Sequence, residues 1–544
     1  GVGARGADRR VGAVGGPVVV RWAGLLLISA HGWARTRARV RRPGGTSKFR
    51  ARGFEVYTTQ ALLDAEARLL DAGRCTQSPR VGIRTLADVA AENLPGKTHG
   101  LSTDQGLAVE QIATSGRVLD VLVGPAGTGK STTMGGLRAV WEQEFGAGTV
   151  VGLAPSAAAA QVLAEEFGVA TENTSKWLTE QARQPGRLRT IDELRAKLHR
   201  TGPSIGASIL RKRIDEVTAE FDKWSLRSEQ LVVVDEASLA GTFALDTLTE
   251  QARNAGAKVV LVGDWAQLSP VEAGGAFHML VHDRDLAPEL ADVRRFTHAW
   301  EKGASIDLRV AHPEAVDAYQ QHGKVAGGDR ESMLDLLYDA WRADVAAGHR
   351  SLMIASDNDT VAALNERARA DRVAAGEVRT HGIQAVSGEV IGAGELVVTR
   401  ANNRLLSCGR GWVKNGDQWL VEAVAADGAV TVARTMGACM PGGRQVVLPA
   451  DYVRQHVELG YATTAHRAQG RTVDTAHAFV SVTTQRAVLY GAAPRGREST
   501  SLYVYTMYTT APDPPTVTPP EPGHWRAPPP GPDAAGQGDG AAPG

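Results

Sequence analysis

The sequence predicts an α/β fold in two lobes, each built on a parallel sheet, with a small β unit inserted in the second lobe and disordered termini. Three observations carry this reading. A glycine-rich octapeptide, Gly124-Pro125-Ala126-Gly127-Thr128-Gly129-Lys130-Ser131, stands between an apolar strand and a helical stretch. Continuous apolar runs alternate with helical patterns, and each run ends in polar residues or glycine. At 544 residues the chain is too long for one core, and roughly 100–200 residues per domain implies several folding units.

Residues 1–53 are rich in Gly and Arg without steady periodicity and hold 12 basic side chains against one acidic. They read as a disordered or foreign segment, with a basic arm touching nucleic acid as the functional alternative. The rest of the chain holds 48 basic against 59 acidic side chains, so bulk charge gives no argument for nucleic acid; a strand-binding groove has to be locally basic. Cys75, Cys408 and Cys439 lie far apart and outside any metal-ligand spacing, which points to neither a disulfide framework nor a zinc site and to a reducing, cytoplasmic location. The apolar stretch from Trp22 to Ala30 is far below the ~20 residues of a membrane span, so neither a membrane partner nor export is expected. Residues 54–100 read as a helical N-terminal segment, opening with Ala61-Leu62, Ala65 and Leu69-Leu70 at helical spacing.

Residues 101–290 make the first lobe. Its predicted strands are 118–123, 149–154, 231–234 and 259–262, and their ends (Gly124 onward, Pro155-Ser156, Asp235-Glu236, Gly263-Asp264) can share one crevice, where ligands sit in open α/β sheets. The octapeptide is a full G-x-x-x-x-G-K-[ST] phosphate loop. Glycines let its backbone curl until the N–H groups converge on a polyphosphate. Gly124, Pro125, Ala126, Gly127, Thr128 and Gly129 form the cradle, Lys130 supplies a mobile cation for the β- and γ-phosphates, and the Ser131 hydroxyl a Mg²⁺ ligand. The run Leu231 to Val234 ends in Asp235-Glu236-Ala237-Ser238, and carboxylates there are costly unless they hold a metal or a water. Asp235 is placed to complete the Mg²⁺ shell and Glu236 to deprotonate the attacking water, a solvated loop being the alternative. The charged helical stretch from Ile191 to Phe221 reads as an insertion with a solvated face.

A helical connector is expected over 291–350 and the second lobe over 351–389 and 451–510, with strands at 351–355, 476–482 and 502–505. Between them, residues 390–450 show short β segments punctuated by Asn415-Gly416 and Asp427-Gly428 turns, a small barrel inserted in the second core. Residues 511–544 contain 11 prolines and cannot bury enough surface to fold. Two polar motifs remain. Gly263-Asp264-Trp265-Ala266-Gln267-Leu268 follows the fourth strand and is placed to sense the γ-phosphate. Thr463 to Thr472 and Arg495-Gly496-Arg497 belong to the second lobe, from which an arginine facing the phosphate loop would stabilise transition-state charge; each segment alone reads equally well as a solvated loop.

In this order and spacing the phosphate loop, DEAS, GDWAQL, TTAHRAQG and RGR resemble superfamily 1 helicases of the RecD-like branch. Thr59 to Glu66, Asp264 to Phe277 and Val293 to Thr297 are similar to the helicase region of conjugative relaxases of the MobF (TraA/TraI) type, over roughly residues 54–510. The resemblance implies two RecA-like P-loop lobes with parallel sheets and a small SH3-like β insertion, ATP and Mg²⁺ as cofactors, and 5′ to 3′ movement on single-stranded DNA. It makes Gln105 the adenine contact, Gln267 the γ-phosphate sensor, Arg295 and Arg495 the arginines that reach the γ-phosphate, and Gly470 a residue near it. It sets Ser156 near a DNA phosphate and Thr464 and His466 on the single strand, and it implies the relaxosome and type IV secretion coupling proteins as partners.

Two departures stand out. Pro494 replaces the threonine of a T-R-G-R motif, removes an N–H and restricts Ala493, which is expected to misplace Arg495 and leave unwinding weaker than hydrolysis. No histidine cluster of a strand-nicking domain is legible, so transesterification is not expected. The readings are thus a conjugative helicase, a RecD-like repair helicase, or a catalytically weak helicase fold serving as a single-strand binding module.

Overall fold

The computed structural model describes residues 19–22, 25–28, 57–91, 100–268, 274–385, 388–409, 411–434 and 445–506. In the first lobe five parallel strands lie in the order Leu119–Val123, Lys258–Gly263, Leu231–Val234, Val150–Ala154, Thr171–Asn173. The three strands nearest the phosphate loop are buried along their whole length, which explains their unbroken Val and Leu runs. Alternate residues serve opposite faces: Val121, Val232 and Leu261 meet Leu69, Trp177, Leu245 and Phe277, while Leu122, Val233 and Val262 meet Ile112, Met134, Trp141 and Leu163.

The helix Gln60–Arg74 starts at Thr59, whose side chain accepts from the Leu62 N–H, and buries Ala65, Leu69 and Ala72 on this lobe. Arg68 ties it to Asp246 at 2.6 Å. The charged insertion is a hairpin of two helices, Gln184–Arg200 and Ile205–Lys223, broken where Gly202-Pro203 cannot continue the first. Of the segment 1–53, Val19–Trp22 and Leu25–Ile28 form an antiparallel pair that adds to Tyr57–Thr59; the rest of that segment and residues 507–544 lie outside the described residues.

The second lobe is also a five-stranded parallel sheet, in the order Ala462–Thr464, Ser351–Ala355, Val473–Val480, Gly496–Tyr505, Val325–Gly328. The last of these lies inside the stretch expected to be a helical connector. Its Val-Ala-Gly-Gly sequence carries no strand pattern, and its extended form comes from pairing with Leu502–Tyr505. The inserted β unit is an antiparallel sheet ordered Gln445–Leu448, Val430–Arg434, Gln418–Val424, Leu396–Thr399, Val457–Leu459 around a core of Val397, Trp419, Val432 and Val453. Gly428, at φ +85°, closes the hairpin between its second and third strands. Asn415-Gly416, read from sequence as a hairpin turn, instead links Gly411–Val413, which pairs with Asn403–Cys408, to the main sheet. Among the described residues no helix is long and apolar enough to cross a membrane.

Candidate active site

The phosphate loop leaves the strand Leu119–Val123 and enters the helix Lys130–Phe145. Gly127 and Gly129 sit at φ +87° and +82°, where a side chain is strained. A Cβ on Gly127 would strike the Cβ of Arg295, and one on Gly129 would come within 2.5 Å of the Gln105 amide nitrogen. The two glycines therefore let the loop curl and let its neighbours close upon it. Lys130 Nζ donates to the Gly124 carbonyl at 3.0 Å, and Ser131 donates to the Glu166 carboxylate, a neighbour with no sequence signal.

Asp235 and Glu236 stand at the C-terminal end of the buried strand Leu231–Val234. Glu236 has φ +49°, a left-handed conformation uncommon for its type and costing roughly 1–3 kcal/mol. Asp235 Oδ1 and Glu236 Oε2 are both buried without a hydrogen-bond partner. Burial, then the charge of Glu236, pushes the Asp235 carboxyl up to about 7, with Lys130 pulling the other way. Two orphaned carboxylate oxygens beside a lysine, a hydroxyl and a curled glycine loop fit a divalent cation with a triphosphate: a hard cation takes oxygen ligands, and binding it relieves the penalty both carboxylates carry.

Two arginines come to the same place from outside the first lobe's sheet. The chain carrying Arg295 lies on the loop itself, with the Arg294 N–H donating to the Gly127 carbonyl at 2.8 Å. Arg495 is 2% exposed, and its Nε donates to the Gly491 carbonyl at 2.6 Å. Burial and then the nearby Arg295 charge bring its guanidinium down to about 10, while Glu236 favours the charged form of both arginines. Pro494 thus does not expel Arg495 from the crevice. Its own carbonyl accepts from Arg295 Nη1 at 3.0 Å, so the proline residue fastens one arginine to the segment that holds the other.

The motif around Asp264 binds the lobes together. Asp264 is fully buried and accepts from Arg309 Nε at 3.0 Å, the Tyr490 hydroxyl at 2.7 Å and the Ala266 N–H at 3.2 Å. Gln267 accepts from Gln469 Nε2 at 2.9 Å, Ala266 packs into the second lobe's core, and the Arg309 guanidinium lies 5.0 Å from the Trp265 ring centre. Of these partners only Gln469 stands within a motif legible in the sequence. Arg309 and Tyr490 carry no local signal.

The other expected residues are spread more widely. Gln105 is 1% exposed and forms a capping box with Ser102, and its amide nitrogen donates to the Thr128 carbonyl at 3.3 Å. These bonds brace the phosphate loop from the side of the helix Thr103–Thr114. Ser156 follows the strand Val150–Ala154 and caps the helix Ala157–Phe167 by accepting from Ala159 at 3.0 Å. Thr464 ends the strand Ala462–Thr464, His466 is exposed on the next turn, and Gly470 is exposed at φ +81°. These strand-end positions belong to both lobes and make no hydrogen bond with the phosphate loop among the described residues.

Residues 100–330 match the family model of an AAA domain. The probable conjugal transfer protein TraA of Sinorhizobium fredii (strain NBRC 101917 / NGR234) is 30% identical over 453 residues, which are 82% of this chain and 36% of that protein. The conjugal transfer protein TraA of Rhizobium radiobacter is 29% identical over 454 residues, 83% of this chain and 36% of that one. The chain therefore spans 36% of the length of these curated relatives. Among solved structures, Pif1 helicase from Bacteroides in complex with ADP-AlF3 and ssDNA is 18% identical, covers 75% of this chain and 93% of its own, and gives a TM-score of 0.44. The first of the two parallel-sheet lobes thus carries the match to an AAA domain, and over 82% of its length the chain is similar to a TraA conjugal transfer protein.

Proposed function

We propose that the chain is an ATP-dependent motor on single-stranded DNA, moving 5′ to 3′, and that it forms the helicase part of a conjugative relaxase acting in plasmid transfer. The observation that carries this reading is the gathering of Lys130, Asp235 and Glu236 from one lobe and Arg495 from the other, with Arg295 between them, in one crevice. Phosphoryl transfer needs little covalent chemistry from a protein and much positioning of charge.

The cradle Gly124 to Gly129 and Lys130 would hold the triphosphate, and Ser131 and Asp235 the magnesium ion, which would supply neutralisation of phosphate charge. Glu236 takes a proton from the water that attacks the γ-phosphorus, and ADP leaves. Arg295 and Arg495 stabilise the charge that gathers on the transferred group. Gln267 and Asp264, bonded to Gln469 and Tyr490, carry the change at the γ-phosphate to the second lobe, whose Thr464 and His466 shift against Ser156 along the strand. A cytoplasmic setting, with the relaxosome and type IV secretion coupling proteins as partners, accompanies this reading.

Strand displacement on 5′-tailed and 3′-tailed duplexes, with ATP turnover followed alongside, tests it. Displacement of the 5′-tailed substrate alone, with turnover stimulated by single strands, is expected. Hydrolysis that ignores DNA would overturn it.

A further inference from the structure

The helical hairpin Gln184–Arg200 and Ile205–Lys223 is unlike a solvated face in how its charge is distributed. Its base mixes signs and is bonded: Arg187 pairs with Glu180 and lies 3.5 Å from Glu220, and Gln184 Nε2 donates to the Phe221 carbonyl at 2.9 Å. Toward the tip, residues 194–214 hold Arg195, Lys197, Arg200, Arg211, Lys212 and Arg213 and no acidic side chain. All six are exposed, and among the described residues only Arg213 has an ion-pair partner, Glu216 at 2.9 Å. The remainder of the chain beyond residue 53 is acidic in balance, so this concentration is a local exception. Helices of 17 and 19 residues carry the tip roughly 25 Å from the anchored base.

We propose that this tip is a DNA-contacting surface that grips the phosphate backbone of duplex DNA beside the single strand held between the lobes. The inference rests on the reading of the chain as a DNA motor. Two features select a duplex. Cations stand on two antiparallel helices, whose axes in contact lie about 8–10 Å apart, a span comparable to the phosphate rows flanking a groove of about 6–12 Å. From residue 184 to residue 220 there is no Phe, Tyr or Trp, so the hairpin offers none of the aromatic rings on which unpaired bases stack.

The test is the triple variant Arg200→Ala, Arg211→Ala, Lys212→Ala in the full chain, read by fluorescence anisotropy on a blunt duplex and on a single strand over a salt series. Duplex affinity is expected to fall about tenfold and its log–log salt slope to become shallower by about 2–3, since each phosphate contact contributes about 0.9. Single-strand affinity and the melting temperature should stay at the parent values. Charge reversal by Arg200→Glu with Lys212→Glu should deepen the duplex loss, whereas Lys212→Arg, which keeps the charge, should leave duplex affinity at the parent value. Unchanged duplex affinity and slope in both the alanine and the reversal variants overturn the proposal, as they would if the tip met an acidic protein instead. These readings need no ATP, so a parent chain that fails to displace strands sinks the motor reading and leaves the tip still decided by its duplex slope.

Discussion

Tyr490→Phe removes one oxygen from the contact that joins the lobes. The ring stays, so no cavity opens, and the change isolates the 2.7 Å bond from the hydroxyl to Asp264 Oδ2. Burial raises the Tyr490 hydroxyl well above its ordinary range, which keeps it a donor at every accessible pH. Asp264 is fully buried, so water cannot replace the lost donor. A hydrogen bond to a charged group contributes about 1.5–3 kcal/mol, and for a unit of 150–250 residues about 1 kcal/mol corresponds to roughly 2–4 °C. A loss of about 2 kcal/mol should therefore lower the melting temperature by roughly 4–8 °C in a calorimetric scan. Because the bond crosses from the end of the strand Lys258–Gly263 to the second lobe, DNA-stimulated ATP turnover should fall as well. In a double-mutant cycle with Asp264→Asn, the two losses should fail to add by about 1 kcal/mol or more. A Tyr490→Phe protein that melts within a degree or so of the parent would refute the argument.

Lys130→Ala should abolish DNA-stimulated ATPase, since Lys130 is the loop's one cation; near-parent turnover would contradict the site. Glu236→Gln should bind ATP with about the parent affinity and hydrolyse it at least roughly a hundredfold more slowly, and an equal loss of binding would remove its role as base. Pro494→Thr should change unwinding by less than about twofold, because the carbonyl that holds Arg295 belongs to the backbone and Arg495 is fastened to Gly491; a several-fold rise would show the proline to be inhibitory. Burial pushes the Glu301 carboxyl up to about 7, above the roughly 4.3 of an unfolded chain, so its folded form keeps a proton that the unfolded form releases. Stability from this group is full below about pH 4 and is lost as pH rises toward 7, and Glu301→Gln should flatten that part of a melting-temperature profile; an unchanged slope would assign the titration elsewhere.

The sequence by itself determined the phosphate loop, the strands that flank it and the carboxylate pair. Each of these is a local requirement: eight residues must curl around a polyphosphate, and a strand buried on both faces must be apolar throughout. The charged insertion was legible too, but only as a solvated face; the hairpin and its exposed basic tip emerge from the structure. Tertiary structure decided the rest. Thr171–Asn173 and Val325–Gly328 are strands because a neighbour pairs with them, since Thr-Glu-Asn and Val-Ala-Gly-Gly have no period to read. Tyr490 finds Asp264 from 226 positions away, and Gln105 reaches the Thr128 carbonyl of the phosphate loop from a helix 23 positions earlier. Pro494 looked like a defect in a motif, yet the fold uses its carbonyl to bring Arg295 beside Arg495. A motif records which groups a reaction needs, whereas which buried donor meets which buried acceptor depends on how two separately folded sheets come to face one another.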